Sequence, residues 1–117
     1  MSSLEVSRVS RFFKALGDDT RMRIVALLAH GELCVCHIES MLKLTQPSAS
    51  RQLAVLKVAG VVTARRAGTW VHYRLAAQDD ASCQRHLRAL QQGFRRDAAL
   101  KREIARVVKR TGPGACQ

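Results

Sequence analysis

The sequence predicts a mainly α-helical fold, a winged helix-turn-helix with a two-stranded β-hairpin wing. Three observations carry that prediction. Apolar residues recur at helical spacing in separate runs, punctuated by Gly17, Gly31 and Gly60. A short pair of these runs meets at the turn Leu44-Thr45. Two β-rich runs then flank Ala67-Gly68-Thr69.

Each element has its own local reason. Residues 4–16 carry Val6, Val9, Phe12, Phe13 and Leu16 at helical spacing, and Gly17 ends the run. Asp18 and Asp19 offer an N-cap and a favourable dipole partner to a second helix. Its stripe runs through Ile24, Leu27 and Leu28 until Gly31 stops it. Residues 35–43 form a third, short helix with Ile38, Met41 and Leu42 facing inward. Thr45 caps the fourth helix, and Pro47 falls in its first turn, where a missing N–H costs little. Ala49, Leu53 and Leu56 make its buried stripe, Ser48, Arg51 and Gln52 point elsewhere, and Gly60 closes it.

Residues 61–66 and 70–75 read as the two strands of the wing, with Trp70 and Tyr73 as packing groups. From Ser82 one long helix is expected, with Cys83, Leu87, Leu90 and Phe94 on one face and Ile104 and Val108 continuing it. Residues 1–111 are expected to form one domain, and 112–117, broken by Gly112-Pro113-Gly114, a flexible tail.

Composition narrows the function. A chain of 117 residues buries one small core. Twenty Lys and Arg against 9 Asp and Glu leave a formal charge of +11, which suits a polyanionic partner. No apolar run approaches the ~20 residues that cross a bilayer. Glu5, Arg8, Arg11 and Lys14 interrupt the first run, so it lacks a signal-peptide core, and a cytoplasmic protein without a membrane partner is expected. There the four cysteines would stay reduced and able to bind soft ions. No nucleophile–base pairing, phosphate loop or metalloenzyme motif is present, so a non-enzymatic role is expected.

The second helix of a helix-turn-helix lies in the major groove and presents its N-terminal residues to base edges. Here those residues are Gln46, Ser48, Ser50, Arg51 and Gln52. Gln reads adenine and Arg reads guanine through paired hydrogen bonds, while Ser more often holds phosphate. Arg65 and Arg66 beside the hairpin turn suit phosphate or minor-groove contacts. Double-stranded DNA is the expected partner.

Cys34 and Cys36 stand at the start of the third helix. In an ideal helix, residues two apart point about 200° from each other and could not hold one ion together. At a frayed or unwound first turn they converge. A helix N-terminus and nearby cations also favour the thiolate, which selects soft ions. Two small buried hydrophobes are the bland alternative.

The segment ELCVCHIESMLKLTQPSASRQLAVLKVAGVVTARRAGTWVHYRL, preceded by LGDDTRMRIVALLAHGE, resembles the ArsR/SmtB family of metalloregulatory repressors, and within it the arsenical-responsive branch. The resemblance covers roughly residues 12–75. It implies a homodimer that represses its own operon and leaves the operator when arsenite or antimonite, As(III) or Sb(III), binds Cys34 and Cys36. Such capture would pull the first turn of 35–43 out of helical geometry and shift the recognition helix that rests on it.

Many members carry a third cysteine three residues after the second, where this chain has Glu39. The third ligand is thus left open among water or a small thiol, His37, Cys83 and Cys116. His37 would ordinarily be solvent-facing, Cys83 packing, and Cys116 an incidental terminal thiol. A two-thiol site also suits a monomethylated trivalent arsenical. Zinc sensing on the last helix is disfavoured, since His86 and the distant Glu103 lack a preceding Asp-x-His. No cysteine precedes Cys34, which weighs against the cadmium/lead branch. Another soft metal (Cd, Pb or Zn), or a redox or persulfide signal through the same cysteines, is the alternative. The helices 4–16 and 82–110 are expected to make the dimer contact.

Overall fold

A computed structural model describes the backbone of residues 3–111 and the side chains of 5–110. The order is α1 (Ser3–Leu16), α2 (Asp19–Leu28), β1 (Leu33–Cys34), α3 (Val35–Leu42), α4 (Gln46–Val58), β2 (Val62–Ala67), β3 (Trp70–Leu75), α5 (Ala81–Arg95) and α6 (Ala98–Thr111). No helix among the described residues is long and apolar enough to cross a membrane.

Local chemistry sets the boundaries. The Asp18 carboxylate accepts from the Arg21 N–H at 3.0 Å and starts α2. Thr45 Oγ1 accepts from the Ser48 N–H at 3.2 Å and starts α4. Between α3 and α4 the chain turns at Lys43, which takes the left-handed conformation with φ 55°. Phe12, Leu16, Ile24, Leu28, Ile38, Leu53 and Leu56 meet in the core that joins α1 to α4. At roughly 1.5–3 kcal/mol for each large apolar side chain buried, this cluster dominates the cohesion of the fold.

The wing is a hairpin, β2 and β3, closed by Gly68-Thr69 with Ala67 opposite Trp70. Gly68 has φ 65° at the first turn position, as a two-residue turn of the II′ kind requires. The sheet nevertheless has three strands, in the order β1-β3-β2, against the two expected. Leu33 pairs with Tyr73, and Cys34 with His72. A two-residue strand is too short to show alternation, so only the pairing reveals it.

The single long C-terminal helix is corrected to two. Asp97 accepts from the Leu100 N–H at 3.0 Å and begins α6 anew, while Arg96 ends α5. The break lets Ile104 and Val107 bury against the body of the fold, where α6 packs on α3. Arg95 Nε donates to the Ala29 carbonyl oxygen at 2.7 Å and holds the corner to the end of α2. The tail 112–117, with Cys116, lies outside the described residues.

Candidate sensor and nucleic-acid sites

Cys34 is the N-cap of α3, with extended backbone (φ −67°, ψ 145°), and Cys36 is in the first turn. Their sulfurs lie 3.4 Å apart. That is contact, beyond the ~2.05 Å of a disulfide bond. The sulfurs were expected to converge only where the first turn is frayed or unwound, and Cys34 indeed stands outside helical geometry. Cys34 is a strand residue outside the helix, so the helical angle between them never applies. Soft-ion bonds of about 2.3 Å at angles between a right angle and tetrahedral need sulfurs roughly 3.3–3.8 Å apart. The pair already meets that span.

The surroundings are asymmetric. Cys34 is 4% exposed, whereas Cys36 is half-buried. His37 is buried, not solvent-facing as its sequence neighbourhood suggested. Burial, and then the charge of His72, hold its pKa below the usual value, so the neutral ring is favoured. Cys83 lies on the buried face of α5, 2% exposed, and burial followed by the Asp80 carboxylate raises its thiol pKa. The packing reading of Cys83 agrees with this position. Among the described residues no cluster of three or more His, Cys, Asp or Glu stands ready to hold a metal ion. His86 is exposed on α5, edge-on to Phe13 with ring centres 5.3 Å apart, while Glu103 pairs with Arg106 on the separate helix α6.

On α4 the buried Ala49, Leu53 and Leu56 turn the other side outward. Gln46, Ser50 and Arg51 are exposed, and Ser48 and Gln52 are half-buried. Gln52 differs from its neighbours. Its Oε1 accepts from the Arg21 guanidinium at 3.0 Å.

Arg66 is exposed on the wing. Arg65 is not simply a loose cation, because it forks onto Glu32 with Nε–O distances of 2.9 Å to both oxygens and Nη2–Oε1 at 2.6 Å. This hydrogen bonding holds the Glu32 carboxyl below its usual pKa.

Sequence reading missed Arg21, Glu32 and His72. Arg21 and Glu32 are ordinary surface charges until long-range pairing is known, so no local signal marks them. Asp97 did carry one, since an Asp ahead of Ala-Ala-Leu is an N-cap pattern.

A winged helix-turn-helix with a sulfur pair beside its wing defines a class of DNA-binding regulator, and the comparisons identify it. The family profile described as "Bacterial regulatory protein, arsR family" matches residues 18–64. The arsenic resistance transcriptional regulator ArsR1 of Pseudomonas putida is 55% identical over 64 residues, covering 54% of this chain and 50% of that protein. The arsenical resistance operon repressor of Escherichia coli is 49% identical over 67 residues, 56% of this chain and 57% of that protein. The match thus spans about half the length of these curated relatives. A cadmium resistance regulatory protein homologue of Staphylococcus aureus is 41% identical over 68 residues, 57% of this chain and 56% of that protein. Among solved structures, a homodimeric winged helix-turn-helix DNA-binding domain from Mycobacterium bovis, described as a possible ArsR-family transcriptional regulator, is 33% identical with a TM-score of 0.66, covering 80% of this chain and 86% of that one. The chain belongs to the arsR family of bacterial regulatory proteins.

Proposed function

We propose that this chain is an arsenic-responsive repressor, which binds operator DNA as a homodimer and lets go when As(III) or Sb(III) is held by Cys34 and Cys36. The observation that carries the reading is the 3.4 Å sulfur contact at the head of the helix preceding the recognition helix. When bound, the metalloid supplies a centre that accepts two thiolate lone pairs. Glu39 occupies the place where many members have a further cysteine, and Cys83 is sealed in the core. The third position then falls to water or a small thiol, or is already filled in a monomethylated arsenical.

Gln46, Ser48, Ser50, Arg51 and Gln52 read or grip the groove, with Arg65 and Arg66 on the backbone. An open apolar cleft of about 490 Å³ between α1 and α5, walled by Phe13, Leu16, Met22, His86 and Leu90, supports dimerisation through these outer helices. Similarity to regulators named for arsenic resistance supports the choice of inducer.

The test is an operator gel shift with and without arsenite. The parent is expected to release DNA, and Cys34→Ser and Cys36→Ser to hold it regardless. Arsenite-independent binding by the parent would sink the reading.

A further inference from the structure

The pairing register places Cys34, His72 and Arg65 in one row across the three strands, because Cys34 and Arg65 both face His72. Residues directly opposite in an antiparallel ladder share a face. Glu32, two residues before Cys34, reaches over this row and grips Arg65 with both carboxylate oxygens. The sensor segment therefore touches the wing twice: through the two-residue ladder of β1 on β3, and through this fork.

We propose that Glu32 is the positioning residue through which occupancy of the Cys34/Cys36 pair reaches the DNA-facing wing, with Arg65 as its lever. This rests on the sensor reading above and assigns the route that the signal takes.

The physical argument starts from burial. Cys34 is 4% exposed, so a group seated on its sulfur has to displace what covers it. The two sulfurs need no helix unwinding to meet, so the strain falls first on β1 and not on α3. A two-residue strand has little ladder to resist displacement. Glu32 moves with it, since only Leu33 separates Glu32 from Cys34. A bidentate guanidinium–carboxylate fork has fixed geometry, unlike a lysine point charge, so displacement of Glu32 is passed to Arg65 and the adjoining Arg66. Both arginines lie on β2, on the wing that an α4-docked duplex would meet.

Glu32→Gln tests this in the full-length dimer, with arsenite as the probe. Gln retains the size but cannot form the charged fork. Three readouts are taken: thiolate–arsenic absorbance in the ultraviolet, operator affinity by fluorescence anisotropy, and emission of Trp70. Trp70 is the sole tryptophan and opens β3 at the wing tip, so it reports wing movement directly.

The parent is expected to show arsenite absorbance, a Trp70 change and a loss of operator affinity in the range of about 5–150-fold typical of such coupling. Glu32→Gln is expected to keep the absorbance, to bind operator without arsenite as tightly as the parent or more so, and to lose the Trp70 change along with most of the affinity loss. Arg65→Lys, judged only on the ratio of affinities with and without arsenite, is expected to fail in the same way. Full release and an intact Trp70 response in both variants would overturn Glu32 as the route while leaving the sensor standing. A parent that binds no arsenite, or that keeps its operator when arsenite is bound, would overturn the sensor reading itself.

Discussion

The Arg21 guanidinium on α2 donates to Gln52 Oε1 on α4 at 3.0 Å, while its Nε donates to the Ala15 carbonyl oxygen at the end of α1 at 2.7 Å. One side chain thus joins three helices behind the face proposed to enter the groove. Hydrogen bonds to a charged group contribute about 1.5–3 kcal/mol each. Arg21→Leu is therefore expected to lower the urea midpoint by the equivalent of roughly 1–3 kcal/mol and to weaken operator binding, with release by arsenite retained.

Gln52→Glu separates folding from recognition. A carboxylate pairs better with Arg21 but faces the phosphates with the wrong charge. Thermal stability is expected to hold or rise, while operator affinity falls. Parallel melting and anisotropy titrations decide it. Affinity equal to the parent's would place Gln52 outside the DNA contact.

The two cysteines proposed as the sensor should not behave alike as structural residues. Moving a hydroxyl from water into a buried site built for a thiol costs about 1–3 kcal/mol in protein contexts. Cys34→Ser is expected to lose stability on that scale, and half-buried Cys36→Ser much less. Both are expected to lose the arsenite response. Denaturant midpoints beside gel shifts check both halves.

Cys83 is expected to resist alkylation in the native protein, because burial raises its thiol pKa and closes access. Mass-mapped labelling with iodoacetamide at neutral pH should modify it last among the cysteines in described residues. Cys83→Ala should keep both DNA binding and release.

Asp80 caps α5, accepting from the Cys83 N–H at 2.8 Å, and that bond lowers its pKa. A carboxyl depressed on folding stabilises above its unfolded pKa, near 3.8, and that stability is lost as pH falls through the folded value. Asp80→Asn keeps a capping oxygen but cannot titrate. Its stability curve is expected to be flatter below about pH 4 than the parent's, as followed by circular dichroism.

Much of this molecule is legible without coordinates. The caps at Asp18 and Thr45, the stripe Ala49-Leu53-Leu56 and the turn at Gly68 each follow from side chain and backbone within a few residues. The spacing of Cys34 and Cys36, their place ahead of a recognition helix, and the excess of basic charge are equally local facts. What the chain alone could not disclose depends on partners far along it. Glu32 and Arg65 are 33 residues apart, as Arg21 and Gln52 are 31, and only packing and register bring them together. The same holds for the sulfurs. Their spacing suggested a strained meeting, yet pairing of Leu33 and Cys34 with β3 draws Cys34 out of the helix and lets them touch at rest. Sequence determined the first four helices and which atoms are soft. Tertiary structure decided where those atoms point, because a two-residue strand has no periodicity of its own and exists only through its neighbour.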